Sequence, residues 1–174
     1  MQDISPTPRP DQLRDAAAGD ARTIAALWNV VIRDTAATFT TAEKSESEIS
    51  AMIAARKAAG RSFLVAEDAT GQVIGFATYD QFRGGVGYRL SMEHTIHLAP
   101  EARGQGLGRA LMARLEAEAR AAGVHVMVAG VTAENPAGRD FHLALGYRHV
   151  GTMPEVGHKF GRFMDLWLLQ KILS

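Results

Sequence analysis

The chain has 174 residues, no cysteine, and 19 basic against 19 acidic side chains. This length suits one domain with a single core, and the balanced charge predicts no nucleic-acid partner and no attraction to an anionic membrane. Without cysteine, a disulfide framework and a cysteine acyl-enzyme are excluded. Residues 1–10 read as a disordered tail without the apolar core of a signal peptide, so we expect a cytoplasmic protein whose one domain spans residues 11–174.

The N-terminal half is predicted to contain two helices followed by a β-hairpin. Asp20 is expected to cap the first helix, Gly60 to end the second, and residues 35–41 to form the loop between them. Two strand-like segments are joined by an Asp-Ala-Thr-Gly turn, which indicates a hairpin. The predicted elements are helices at 20–32 and 46–59 and strands at 63–67 and 73–80.

The C-terminal half alternates strands and helices after the Gly84-Gly85 loop. Its predicted elements are a strand ending at Leu98, a helix from 107 to about 121, a strand at 125–131, a helix opened by Asn135, and strands at 147–152 and 163–170. The order β-α-α-β-β-β-α-β-α-β-β predicts an α/β fold with a mixed sheet and helices on both faces.

A glycine-rich turn, residues 103–108 (RGQGLG), separates the extended segment 93–98 from a strongly amphipathic helix. The first turn of a helix has unpaired N–H groups and partial positive charge, and glycines let a phosphate approach the backbone. The glycine spacing does not fit a dinucleotide fingerprint, and no Gly-Lys-[Ser/Thr] follows, which excludes a P-loop. The turn therefore predicts a phosphorylated cofactor, the alternative being a connection that binds no ligand.

The pattern Arg103-x-x-Gly106-x-Gly108 resembles the pyrophosphate-binding signature of the GCN5-related N-acetyltransferases (GNAT). In that family the turn holds the pyrophosphate of acetyl-CoA, and the strand before it pairs with the pantetheine arm. A second family signature, in which an Asn opens a short helix that ends in Gly-aromatic, is matched by Asn135, Gly138, Phe141, His142, Gly146 and Tyr147.

Several segments narrow the resemblance to the N-acetyltransferases that act on phosphinothricin, methionine sulfoximine and methionine sulfone. They are Glu93-His94-Thr95, residues 125–129, residues 159–163, Asp165 and Gln170, within a resemblance that runs from about Arg14 to Leu173. The resemblance implies a single-domain, mostly antiparallel GNAT fold, a homodimer, and direct acetyl transfer from acetyl-CoA to the α-amine of a small amino acid or analogue. The chain departs from these relatives in having Phe at positions 39, 82 and 163, where Trp is common, and Gly85 in place of an aromatic residue.

The resemblance also implies two groups of binding residues. The acetyl-CoA site would comprise Ile96, His97, Leu98, Arg103, Gly104, Gln105, Gly106, Leu107, Gly108, Arg109 and Asn135. The acceptor site would comprise Phe39, Arg83, Gly84, Gly85, Glu93, His94 and Thr95.

Acetyl transfer requires the amine to lose a proton, and a free amino group is mostly ammonium near neutral pH. Glu93 is the predicted general base, because it lies on the strand before the cofactor turn, where the resembled enzymes have their acidic residue. His94 is its rival, and a solvated strand carboxylate is the alternative. Strand alternation places the two side chains on opposite faces. His142 is predicted either to donate to the leaving thiolate or only to pack. Arg83 is predicted to bind the substrate carboxylate, unless it is a surface arginine.

The histidines do not predict a metal site, because His94 and His97 on one strand point to opposite faces and no cysteine or carboxylate cluster completes a ligand set. Two other functions are compatible with a glycine-rich turn that binds a phosphorylated cofactor. A non-catalytic acyl-CoA sensor would need neither Glu93 nor Arg83, and a nucleotide-dependent oxidoreductase is disfavoured by the glycine spacing.

Overall fold

The computed structural model describes residues 12–173, and the predicted tail at 1–10 lies outside them. Within this range seven strands form one sheet: β1 (Leu13–Asp15), β2 (Phe63–Glu67), β3 (Val73–Gln81), β4 (Ser91–Leu98), β5 (Val126–Thr132), β6 (Arg148–Lys159) and β7 (Arg162–Ile172). Their spatial order is β1-β2-β3-β4-β5-β7-β6. Of the neighbouring pairs between residues 12 and 173, β4 with β5 is the parallel one. The expected mixed, mostly antiparallel sheet is confirmed.

In the described part of the chain, four α-helices cover the sheet: α1 (Ala21–Asp34), α2 (Glu46–Ala58), α3 (Leu107–Ala121) and α4 (Pro136–Ala144). Strand alternation divides the core between the two faces. Phe76 of β3 packs with Ile24 of α1 and Ile49 of α2, whereas Tyr79 of the same strand belongs to the cluster that contains Leu111 of α3. The prediction of helices on both faces is confirmed.

The two N-terminal helices begin in different ways. Ser45 caps α2, since its Oγ accepts from the N–H of Glu48 while the Glu48 carboxylate accepts from the N–H of Ser45. Asp20 precedes α1 as predicted, but its side chain makes no cap hydrogen bond. Its carboxylate instead accepts from Arg14 and from the N–H of Ala17. Asp20 thus occupies the N-cap position, but the prediction that its side chain caps the helix is wrong, because the Arg14 guanidinium binds the carboxylate.

The β6–β7 hairpin is longer than the predicted strands at 147–152 and 163–170. Proline disfavours the continuation of a paired strand, yet β6 continues past Pro154 to Lys159 through an irregularity between Met153 and Gly157. Glu155, at a φ of 53°, donates its N–H to Asp165 of β7. A bulge thus accommodates the proline without ending the pairing.

The pairing of β4 with β5 is short, and this positions the site. The register covers Ser91 with Val126, through to Glu93 with Val128, and then stops. Beyond that point β4 continues against β3 to Leu98, and β5 continues against β7 to Thr132. The two central strands therefore part, and a gap opens in the middle of the sheet.

Candidate active site

A cavity of about 390 Å³ lies in the gap between β4 and β5. It is lined by residues 93–97 of β4 and 129–131 of β5, with contributions from loop residues 37–38, Arg56 of α2 and His142 of α4. The lining thus includes groups from both faces of the sheet, so a molecule on one face can meet a molecule on the other through the gap.

The side chains of β4 alternate across the sheet as predicted. The ring of His97 lies 5.8 Å from the ring of Trp28 on the α1 face. The ring of His94 stacks on His142 of α4, with centroids 5.0 Å apart. Glu93 therefore shares the α1–α2 face with His97, and His94 lies on the opposite face.

Glu93 lies at the point where the strands part. A Cβ added to Gly130 of β5 would come within 2.8 Å of its Oε1, so glycine leaves the space that the carboxyl occupies. Glu93 makes no ion pair or side-chain hydrogen bond with residues 12–173, and the surrounding protein raises its pKa by desolvation. The result is an unpartnered carboxyl that faces the cavity and retains a proton to higher pH than a free glutamate.

His94 and His142 form a buried hydrogen-bonded pair. The Nδ1 of His142 lies 2.6 Å from the carbonyl oxygen of Gly138, which can only accept, so Nδ1 carries the proton. The Nε2 of neutral His142 then accepts from the Nε2–H of His94, at 3.1 Å. Burial lowers the pKa of His94 to about 3 and also lowers the pKa of His142. Both rings are therefore neutral near pH 7.

This pairing bears on the predicted role of His142 as a donor. In the neutral ring of His142, the Nδ1–H donates to the carbonyl oxygen of Gly138, and Nε2 accepts from the Nε2–H of His94. Donation from Nε2 to a leaving group would require the proton of the pair to shift. The donor role of His142 stays a prediction, as does the alternative that the ring only packs.

The buried histidines should make the stability of the protein depend on pH. The pKa of His97 is lowered to about 4 by burial and then by the charge of Arg103, against 6.5 for a free histidine. Because the unfolded chain binds more protons in this window, the free energy of unfolding should fall as the pH drops from 6.5 to 4. Urea unfolding of His97→Gln at several pH values should give a shallower dependence than the wild type.

His158 provides the control, because its side chain is exposed on the β6–β7 hairpin. His158→Gln should retain the wild-type dependence on pH. Equal slopes for the wild type and His97→Gln would contradict the assignment of the lowered pKa to His97.

The glycine-rich turn has the geometry expected of an anion site. Helix α3 begins at Leu107, and its N-cap, Gly106, adopts the left-handed region at a φ of 78°. No side chain among residues 12–173 caps this helix, so its first N–H groups are available to a ligand. Arg103 and Arg109 are exposed on either side. These features are compatible with the pyrophosphate of acetyl-CoA, and the assignment of this turn to it stays a prediction.

Two residues of the turn also have a packing role. The side chain of Leu107 is buried in the core below α3. A Cβ at Gly108 would lie 3.3 Å from both Leu98 of β4 and Phe141 of α4, so glycine permits the close approach of these elements.

Three other predicted acetyl-CoA residues, Ile96 and His97 of β4 and Asn135, line the cavity. The side chain of Asn135 also caps α4 by accepting from the N–H of Gly138.

The predicted acceptor residues are only partly brought together. Glu93, His94 and Thr95 line the cavity. Residues 83–85 lie on an exposed loop outside its lining, where the Arg83 guanidinium lies 5.8 Å from the ring of Tyr88. Binding of a substrate carboxylate by Arg83 would require this loop to close over the cavity, and it stays a prediction.

Phe39, a predicted acceptor residue, is not among the residues that line the cavity. Its ring occupies the space that a Cβ at Gly157 of β6 would need, while the preceding residues, Ala37 and Thr38, line the cavity. Lys159 holds this loop by donating from Nζ to the carbonyl oxygens of Thr35 and Thr38.

Arg56 was not identified from the sequence. It lies in the last turn of α2, lines the cavity and pairs with Asp80 of β3 at 2.6 Å. In the sequence it stands in the alanine-rich stretch Ala-Ala-Arg-Lys-Ala, which gives no local signal of a site. Only the packing of α2 against the sheet places it there.

The chain belongs to the acetyltransferase (GNAT) family, which it matches over residues 24–147. It is 39% identical over 158 residues to the L-methionine sulfoximine/L-methionine sulfone acetyltransferase of Pseudomonas paraeruginosa, covering 91% of this chain and 92% of that protein. It resembles the structure of the acetyltransferase yncA from Salmonella typhimurium with its cofactor acetyl-CoA, at 37% identity and a TM-score of 0.89 over 93% of each chain. It also resembles a phosphinothricin acetyltransferase of Sinorhizobium meliloti in complex with acetyl-CoA, at 35% identity and a TM-score of 0.89 over 93% of this chain and 88% of that one.

The predicted family, fold and enzyme class are confirmed: the protein is an acetyltransferase with the GNAT fold. The acetyl-CoA prediction is supported by both structural relatives, which contain it. Among residues 12–173, no three His, Cys, Asp or Glu side chains are grouped so as to hold a metal ion. No helix within this range is long and apolar enough to cross a membrane.

Proposed function

We propose that the enzyme transfers the acetyl group of acetyl-CoA to the α-amino group of a small amino acid or amino-acid analogue. Methionine sulfoximine, methionine sulfone and phosphinothricin are the acceptors to test first, because they occur in the names of relatives that match along nearly the whole chain. The observation that carries the proposal is the unpartnered, desolvated carboxyl of Glu93 in the gap between β4 and β5.

On the acceptor side, Glu93 removes the proton that prevents attack. A bound amino acid arrives with an ammonium group, which has no lone pair for a nucleophilic step. The Glu93 carboxylate faces the cavity without a competing partner, and its raised pKa makes it a better proton acceptor than a free glutamate. Ionised Glu93 therefore attracts the ammonium group and then takes its proton, directly or through water.

On the donor side, the chain offers a cradle for acetyl-CoA, whose thioester supplies an activated acetyl group when it is bound. We assign the N–H groups at the start of α3, with residues 103–109, to its pyrophosphate. Residues 96–98, on the edge of β4 that β5 leaves unpaired, and Asn135 are assigned to its pantetheine arm. The sequence has no cysteine to carry the acetyl group as a thioester, and we propose direct transfer to the amine.

A panel assay tests the proposal. The enzyme is incubated with acetyl-CoA and each free amino acid in turn, together with the three analogues, and the release of free CoA is followed. Turnover of at least one α-amino acid supports the assigned acceptor class. Turnover confined to amines without an α-carboxylate would redraw the acceptor class, and no acceptor-dependent release at all would refute the proposal.

His142 is tested by His142→Phe, which removes the ring nitrogens but retains an aromatic side chain. If His142 assists departure of the thiolate, kcat should fall while the KM for acetyl-CoA stays close to the wild-type value, since the donor acts on charge that develops at sulfur. Steady-state kinetics measure both constants. A raised KM for acetyl-CoA at unchanged kcat would make His142 a packing residue.

We further propose that the enzyme is a cytoplasmic homodimer. The support for a dimer is a run of exposed apolar side chains on the β6–β7 hairpin: Val150, Met153, Val156, Phe160 and Phe163. The absence of cysteine is compatible with a reducing compartment. Sedimentation equilibrium distinguishes a dimer from a monomer, and fractionation of cells tests the location.

A further inference from the structure

The wall of the cavity next to α2 carries an unbalanced group of charges. The Oδ2 of Asp80 lies 2.6 Å from Nη1 of Arg56, while its Oδ1 contacts Nη1 of Arg61 and accepts from the N–H of Gln81. One carboxylate therefore serves two guanidinium groups. The group retains one net positive charge beside the cavity.

Arg56 is the member of this group that the protein covers most. Its side chain is 17% exposed, and its Nε is buried without a hydrogen-bond partner among residues 12–173. A buried N–H without an acceptor is unfavourable, and arginine presents its donors in a planar fork that matches a carboxylate. Desolvation lowers the pKa of Arg56 more than the nearby Asp80 raises it. A second anion at this point would balance the remaining positive charge.

Glu93 lies next to this group on the same face of the sheet. Asp80 of β3 is directly opposite Glu93 of β4 in the register, and side chains so placed have Cβ atoms about 5 Å apart. Arg56, which pairs with Asp80, and Glu93 both line the cavity. The lining of the cavity thus includes both a cation and an anion, which are complementary to the carboxylate and the ammonium group that an α-amino acid carries on one carbon.

We propose that Arg56, with Arg61 contributing positive charge behind it, binds the α-carboxylate of the acceptor while Glu93 faces its α-amino group. This inference rests on the proposed function and names the group that makes the enzyme selective for amino acids over simple amines. The sequence predicts that Arg83 binds the substrate carboxylate, whereas this inference assigns that role to Arg56 of α2. Arg83 lies on the exposed loop outside the cavity.

The test compares methionine sulfone with 3-(methylsulfonyl)propylamine, the same molecule without its carboxylate. The quantity measured is the ratio of kcat/KM for the two acceptors. Arg56→Gln should lower this ratio by about ten- to a hundredfold, the effect of losing one charged hydrogen-bonded contact, with the KM for acetyl-CoA unchanged. Arg56→Lys retains the charge but loses the fork, so it should lower the ratio by a smaller factor.

Lys57→Gln is the matched control, because it removes one positive charge from the same turn of α2 at an exposed position. It should leave the ratio unchanged. Arg83→Ala is assayed in parallel. The inference is overturned if Arg56→Gln slows both acceptors equally, or if the ratio falls in Arg83→Ala and not in Arg56→Gln.

Two further outcomes keep the test decisive. If Arg56→Gln does not fold, Arg56→Lys carries the test, and an unchanged ratio in that variant overturns the inference. Failure of the proposed function would appear differently, as a wild-type enzyme that turns over no amino acid. A wild type that acetylates methionine sulfone, combined with an unaltered ratio in Arg56→Gln, would refute the role of Arg56 alone.

Discussion

Gly106→Asp is expected to abolish acetyl-CoA binding. Gly106 is the N-cap of α3 in left-handed geometry, at the point where the free N–H groups of the helix face the assigned pyrophosphate. An aspartate there adds both a side chain and a negative charge to the anion cradle. Calorimetry of acetyl-CoA binding and thermal unfolding with and without acetyl-CoA should show no interaction.

Gly106→Asn separates the effect of charge from that of shape. Asparagine has nearly the same size as aspartate and also tolerates the left-handed region, so the two variants should unfold at similar temperatures without ligand. The asparagine variant should bind acetyl-CoA weakly and the aspartate variant not at all. Stabilisation of the aspartate variant by acetyl-CoA would show that the phosphate assignment is wrong.

Glu93→Gln should lower kcat/KM by about 10²- to 10⁴-fold near pH 6.5, because glutamine cannot accept the proton of the substrate ammonium. The dependence on pH should also change. Without the base, the rate should follow the small fraction of free amine and rise with pH, so the loss relative to the wild type should shrink as the amine deprotonates unaided. Initial rates from pH 6 to pH 9.5 test this.

The dependence of the wild-type kcat/KM on pH should reflect the raised pKa of Glu93. Desolvation raises the pKa of Glu93, so the fraction of ionised base, and with it kcat/KM, should decline on the acid side at a higher pH than an ordinary glutamate would allow. Glu46→Gln, at an exposed position in the first turn of α2, should behave as the wild type. A small loss in Glu93→Gln that does not vary with pH would limit Glu93 to a structural role.

Local patterns were sufficient to predict much of the fold. The predicted strand at 63–67 agrees with β2, and the predicted helix at 107–121 agrees with α3. Apolar runs bounded by turn residues, four-residue spacing and glycine stops are properties of the segment itself. The full length of β6 does not follow from the sequence, because the bulge at Glu155 depends on a contact with Asp165 of the neighbouring strand. Pro154 in the same segment is unfavourable for a continuous strand.

The site was predictable to the extent that it depends on contiguous motifs. The glycine-rich turn and Glu93 are both visible in the chain, and alternation along β4 separated Glu93 from His94. Arg56 is different, because its place in the cavity depends on the packing of α2 against β3 and on its contact with Asp80. The pairing of His94 with His142 likewise joins residues 48 positions apart in the chain.

The most direct test of the account is to identify the product formed from acetyl-CoA and methionine sulfone at pH 6.5, for the wild type and for Glu93→Gln. Mass spectrometry and proton NMR of the product, together with the amount of CoA released, establish where the acetyl group goes. The account predicts α-N-acetylmethionine sulfone in equal amount to free CoA, formed about a hundredfold or more faster by the wild type. Acetylation at another position, or equal rates for the two enzymes, would contradict it.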